Sequence, residues 1–360
     1  EISLGLVGSE MCIRDRLTMA LAGNVQAAEI RSVGPDGEAA VDASTIELTD
    51  DQIAQIKEGG YTAAICLHYG GNDWSTSQQK GLEDTFGELG IEIVAVTDAN
   101  FSAETQVSNI ETVMAKKPDI LVSIPTDATA TADAYKQAAA AGIKIVFMDQ
   151  RANGLEAGKD YVSVVSADNY GNGYASGTVL GDALGGKGKV AMVYYDANFA
   201  PTNQRDEGFR DAMKNYPDIE IVTEQGFTDE SGCAEQGDAI LTQFPNIDGI
   251  YASWDVPMEG VLSAVRAAGM EGKVTLACND LGNNVAREIA SGNIAGGGAQ
   301  MPYDQGVAEA KLAALALLGE ETPSYVAVPA ETVTHENVLE AYTDVYHVET
   351  PDWLKEAYVE

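Results

Sequence analysis

The run YTAAICLHYGGNDWSTSQQKGLEDTFGELGIEIVAV, Tyr61 to Val96, contains the unit from which the fold is read. TAAICL is apolar without alternation, the pattern of a strand covered on both faces. HYGGNDW then places an imidazole, a phenol, an amide, a carboxylate and an indole on one turn. A helical pattern follows, and IEIVAV is apolar again. A strand, a crossover helix and a second strand make the parallel β-α-β unit, in which ligands sit at the turn leaving the strand's carboxyl end.

The same rhythm recurs outward along the chain. Strand-like runs stand at DILVSIP (119–125), IKIVFM (143–148), YVSVV (161–165), KVAMVYY (189–195), IEIVTE (219–224), DGIYAS (248–253) and KVTLAC (273–278), most of them separated by helical patterns. That alternation predicts an α/β protein with doubly wound parallel sheets. A barrel would need a single unbroken series of βα units over roughly 250 residues. Two polar, glycine-rich stretches interrupt the series, VSADNYGNGYASG from Val165 and GGGAQMPYDQG from Gly296. Crossings between two lobes have this character. A shorter acidic lead-in carries one predicted helix, TDDQIAQIKE.

With 360 residues the chain can form two cores. Its formal net charge of −35 repels phosphate backbones and anionic lipid, which excludes nucleic acid and membrane surfaces as expected partners. The cysteines (Cys12, Cys66, Cys233, Cys278) include no CxxC, and the histidines (His68, His335, His347) form no spaced cluster. No metal site or cofactor is expected, and Cys66 and Cys278 read as buried thiols at strand ends. LTMALAGNVQAAE, Leu17 to Glu29, has the apolar stretch and small residues of a secretory signal cleaved after Ala27 or Ala28. Residues 1–28 are therefore read as a leader outside the fold, and its upstream part resembles sequencing-adapter read-through.

Three motifs have competing explanations. GNGYASG, Gly171 to Gly177, is one residue from a dinucleotide fingerprint, yet small residues on a helix packed closely against a sheet explain it equally. SQQK, Ser77 to Lys80, fits an acylating-serine pattern without its companion boxes, and reads as a helix's first turn capped by Ser75 or Thr76. Asp149 and Asp280 could be the acid and base of a glycosidase, hydroxyl acceptors for a bound sugar, or helix caps. His68 could be a satisfied strand-end histidine, and Trp74 and Trp254 could be core.

Strand ends carry most of the hydrogen-bonding and aromatic side chains. NDWSTSQQKGLEDTF, IPTD at Ile124, VFMDQ at Val146, VVSADN, QRDEGF, ASWD, CND and GAQMPYDQG together resemble the ribose-type periplasmic substrate-binding proteins of ABC importers, over about Tyr61 to Val328. The resemblance implies two similar lobes joined by three hinge crossings, near Ala167, Gln300 and Pro329. It divides the chain into a leader (1–28), a lead-in (29–60), one lobe (61–166 with 301–329) and another (167–300 with 330–360). It places ligand contacts at His68, Asn72, Trp74, Asp149 and Gln150 on the first lobe, and at Asn203, Phe227, Trp254 and Asp280 on the second, with Gln300 at the hinge. Arg205 reads as paired within its lobe and is left out. Gln150 and Asn203 stand where the ribose binder has arginines, Ser75 where it has a phenylalanine and Trp254 where it has an asparagine. These departures imply another pentose, a hexose or a linear polyol. The expected protein is a monomeric, non-enzymatic periplasmic binder that meets an importer's permease. A quorum-signal binder of the same fold and a sugar-processing enzyme are the alternatives. A repressor of this fold would need a basic helix-turn-helix where residues 29–60 are acidic.

Overall fold

The computed structural model describes residues 30–359, so the expected leader lies outside the described residues. Its strands are β1 (Val41–Asp42), β2 (Thr62–Leu67), β3 (Glu92–Asp98), β4 (Ile120–Ser123), β5 (Lys144–Met148), β6 (Ser163–Ala167) and β7 (Lys187–Tyr195). They continue with β8 (Asp218–Phe227), β9 (Gly249–Ala252), β10 (Thr275–Cys278), β11 (Gly296–Ala299), β12 (Tyr325–Val328) and β13 (Glu331–Thr334).

Two sheets result. The first has seven strands in the order β1-β12-β6-β5-β4-β2-β3, and every pairing in it is parallel. The second has six, in the order β13-β11-β10-β9-β7-β8, parallel except for the edge strand β13 on β11. The expected α/β architecture of two doubly wound lobes is therefore present. The chain leaves the first sheet after β6, returns after β11, and leaves again between β12 and β13. Apolar runs without alternation are explained by helices on both faces. In β4 and β5, Val122 and Val146 join one core cluster while Leu121 and Ile145 join the other. In the second sheet, Val193 and Ile250 face one cluster, Met192 and Tyr251 the opposite one.

The acidic lead-in contributes more than its expected helix. That helix, Asp50–Gly59, is present and starts with a capping box of Thr49 and Gln52. In addition β1 extends the first sheet along β12. The backbone N–H groups of Arg31 and Ser32 donate to Asp168, the cap residue at the first crossing, at 3.0 and 2.8 Å.

Both glycine-rich stretches turn out to be regular structure. Residues from Gly296 form β11, where a Cβ on Gly298 would lie 2.3 Å from the Asn172 carbonyl oxygen. GNGYASG lies inside the helix Asn169–Ala183. At Gly173 a Cβ would stand 1.8 Å from the carbonyl oxygen of Arg205, on helix Ala200–Met213. The small residues serve helix packing against both that helix and the sheet. Gly173→Ala is expected to destabilise the second lobe by roughly 1–3 kcal/mol through overpacking and to displace Arg205. Urea melts test this, and an unchanged midpoint would mean that the two helices do not meet so closely.

SQQK sits in the helix Asp73–Leu89, but its cap is Asn72, whose Oδ1 accepts from the Ser75 amide at 2.8 Å. The Ser75 and Thr76 hydroxyls, expected as caps, instead donate back to the Asn72 carbonyl.

Candidate functional site

The two sheets present equivalent carboxylates. Asp149 follows β5 and Asp280 follows β10, and both hold left-handed backbones, φ 53° and 69°. Aspartate is among the side chains that tolerate this conformation. The Asp149 amide donates to Val165 O at 2.7 Å and the Asp280 amide to Gly298 O at 2.8 Å, so each residue is still tied to the neighbouring strand as its side chain leaves the sheet. Neither caps a helix.

A hydrogen-bonded chain connects them through the hinge. Ser166 donates to Asp149 Oδ1 at 2.9 Å, and Asn169 approaches the same oxygen at 3.4 Å. Asn169 Oδ1 accepts from Arg205 Nε at 2.8 Å. Arg205 Nη1 donates to Asp280 Oδ2 at 3.0 Å and to Ser253 O at 3.2 Å. Gln300 Nε2, beside the second crossing, donates to Asp280 Oδ1 at 2.8 Å. Burial alone would lower the Arg205 pKa, but Asp280 and Asp149 outweigh it and hold the guanidinium charged. Burial raises the Asp149 pKa against the opposing pull of Arg205 and its hydrogen bonds. Burial together with Asp280 pushes Asp255 up to about 8.

Around this chain lies a cavity between the lobes, with about 490 Å³ not filled by protein atoms and part of it open to solvent. A larger depression by the strand amino ends of the first lobe is lined by Asp160, Glu320 and Glu321 but has Tyr161 as its single aromatic residue. Aromatic rings wall the cleft: Tyr69, Trp74 and Phe101 from the first lobe, Tyr195, Phe199 and Trp254 from the second. Phe199 stacks across the cleft on His68 with centroids 5.7 Å apart. At the rim Asp73 accepts from the Asn283 backbone and side chain, 2.7 and 2.8 Å, which joins the lobes directly.

Among the described residues, several buried polar atoms of lining side chains have no hydrogen-bond partner: His68 Nδ1, Trp74 Nε1 and Gln300 Oε1. Burial lowers the His68 pKa to about 3, so its imidazole is neutral. A buried polar group left unpaired costs roughly 1–3 kcal/mol. Trp254 differs, because its Nε1 donates to Glu230 at 2.8 Å.

Of the residues expected at the site, His68, Asn72, Trp74, Asp149, Trp254, Asp280 and Gln300 line the cavity. Gln150, Asn203 and Phe227 do not. Gln150 turns behind the hinge, where its amide binds Pro125 O at 2.8 Å and accepts from the Ala200 amide at 3.2 Å. Asn203 is exposed. On one helix, residues two apart face nearly opposite directions, so Arg205 and Thr202 occupy the cleft face and Asn203 the outer one. Phe227 packs behind Tyr195 and Trp254, at 5.6 and 5.1 Å. Arg205 does pair within its lobe, as expected, yet also lines the cleft. Tyr69, Phe101, Tyr195 and Phe199 were not selected from the sequence. Tyr69 was visible in the first turn, and Tyr195 ends a strand-like run.

Comparison with known proteins places these features in context. The family described as periplasmic binding protein domain matches residues 63–321. The D-ribose/D-allose-binding protein of Pseudomonas aeruginosa is 29% identical over 73% of this chain and 83% of its own. The ribose import binding protein of Salmonella typhimurium is 24% identical over 76% of this chain and 90% of its own. Among solved structures, an ABC transporter periplasmic solute-binding protein from Actinobacillus succinogenes with bound D-allose is 29% identical, with a TM-score of 0.71 over 77% of this chain and 99% of that one. A solute-binding protein from Agrobacterium vitis bound with α-D-tagatopyranose is 25% identical, with a TM-score of 0.74 over 81% of this chain and 100% of that one.

Proposed function

This chain belongs to the periplasmic binding protein domain family, and from that premise we propose that it captures one sugar or sugar alcohol in the cleft between its lobes. It then delivers the molecule, chemically unchanged, from the periplasm to the permease of an ABC importer. The observation that carries this reading is the grouping, on one cleft, of Asp149 and Asp280 with side chains whose buried atoms have no partner among the described residues, His68 Nδ1, Trp74 Nε1 and Gln300 Oε1. A hydroxyl donates one hydrogen bond and accepts others. It can therefore take the indole N–H of Trp74 and give its own proton to a carboxylate or to Gln300. The aromatic walls suit the apolar faces of a ring or a reduced chain. Asp149 and Asp280, partly balanced by Arg205, disfavour an anionic ligand such as a uronate or a sugar phosphate. D-allose and α-D-tagatopyranose, bound by the two solved relatives, are neutral polyhydroxylated molecules of this class.

Ligand groups are shared between lobes, so a bound molecule prefers the closed arrangement and shifts the population toward it. A thermal-shift screen against pentoses, hexoses and polyols should find a ligand that, at a hundred times its dissociation constant, stabilises the chain by about 2.7 kcal/mol. The same ligand should reduce the radius of gyration in solution scattering and should be recovered unaltered. Ligand turnover would instead support an enzyme, and saturation without any compaction would place the site within one lobe.

A further inference from the structure

The loop after β3 presents a residue that no functional assignment covers. Asn100 and Phe101 are both left-handed, φ 48° and 58°. Asparagine visits this region readily, whereas a bulky residue there is an outlier that its surroundings must impose. The surroundings are visible. Asp98 Oδ1 accepts from the Asn100 amide at 2.7 Å and Asp98 Oδ2 from the Gly70 amide at 3.2 Å. The Phe101 amide donates to the carbonyl of His68 at 2.8 Å. These bonds tie the loop to the turn that carries His68, Tyr69 and Trp74.

Core burial does not explain the strained residue, because Phe101 remains 41% exposed. Its ring instead stacks on Tyr69, with centroids 4.2 Å apart and planes 23° apart, and stands edge-on to His68 at 5.2 Å. All three line the cavity. Tyr69 is fixed from its far end by Asn72, whose Nδ2 donates to the phenol oxygen at 2.6 Å. The ring is thus held at the open edge of the cleft by a backbone shape that glycine would adopt without strain.

We propose that Phe101 is a specificity-determining residue of the cleft: with Tyr69 it forms the wall of the mouth and limits the ligand to the size of one sugar ring or its reduced chain. This rests on the reading of the cleft as a sugar or polyol site. Strained residues that persist at ligand clamps are expected to trade stability for function, which gives the proposal a signature that a packing residue lacks.

The test compares the full chain with Phe101→Gly and Phe101→Asn, which relax the backbone while removing the ring. The probes are D-ribose, D-allose, D-tagatose, allitol and myo-inositol, followed by a mono-O-methyl derivative of whichever binds most tightly. Both variants should melt no lower than the parent and bind the best probe roughly tenfold more weakly, as expected for a lost aromatic wall. Both should also discriminate about tenfold less against the methylated derivative. Unchanged affinity and discrimination in a chain that binds one of the probes would overturn the inference alone, as would a marked fall in melting temperature. A parent chain that binds none of them would remove the sugar reading, and the inference with it.

Discussion

Arg205→Ala is expected to abolish ligand binding and to cost the fold roughly 3–5 kcal/mol, the range for breaking a buried ion pair from one side. The reason is what the substitution leaves behind. Asp280 would lose the cation beside it and keep the Gln300 amide, Asn169 Oδ1 would lose the guanidinium donor, and the Ser253 carbonyl would be left with Asn279 Nδ2. Arg205 and Asp280 side chains are 6% and 10% exposed, so water cannot replace the guanidinium cheaply. The chain of bonds from Asp149 to Asp280 would also be cut in its middle, and the two carboxylates would no longer be aligned on the cleft. Arg205→Lys keeps the charge but not the fork that reaches Asn169, Ser253 and Asp280 together, and should fall between the two. Denaturant melts and calorimetry measure both effects. A variant that kept full stability and affinity would show that Arg205 is neither the support of the site nor part of it.

Stability should decline as pH rises from 5 to 8.5, the reverse of the usual expectation for an acidic pair. Burial pushes Asp206 from 3.8 up to about 7, against the hydrogen bonds of Ser253 and Tyr251. Burial and Asp280 push Asp255 from 3.8 up to about 8. Between pH 4 and these values the folded chain keeps protons that the unfolded chain has released. The resulting stability is complete below the unfolded value and is lost as pH passes through about 7 and 8. For Asp206 the span corresponds to on the order of 4 kcal/mol. The net charge of −35 acts in the same direction, because self-repulsion grows as carboxyls ionise. Urea midpoints at several pH values test this, and Asp206→Asn should flatten the dependence. A midpoint that rose with pH would show that the buried carboxyls are ionised in the fold.

The sequence alone carried the alternation of apolar runs and helical patterns, because strands covered on both faces must be apolar throughout and their crossover helices must show a 3.6-residue period. Parallel pairing and a ligand site at the strand carboxyl ends follow from that alternation, whereas two lobes were read from the glycine-rich interruptions at Val165 and Gly296. Asp149, Asp280, His68 and Trp74 were legible for the same reason, since each directly follows or closely trails a strand. Strands β11 and β12 were not picked out: β11 is mostly glycine because Asn172 and Cys278 press on it, whereas β12 is as long as β4, β9 and β10, which were.

Which residues of a helix or loop face the cleft was decided only by tertiary structure. Asn203 and Arg205 stand two positions apart in QRDEGF and its flank, and local sequence contains no sign of which is turned inward. The choice is made by Asp280 and Asn169, which are distant in the chain and hold the guanidinium from the far side. Phe101 is the same case. Nothing in DANFSAE marks a left-handed phenylalanine, because the conformation is imposed by the carbonyl of His68 and by the Tyr69 ring, contributed by the preceding strand's turn. Periodicity encodes the burial of an element as a whole, whereas the aim of a single side chain depends on partners that only the folded sheets bring together.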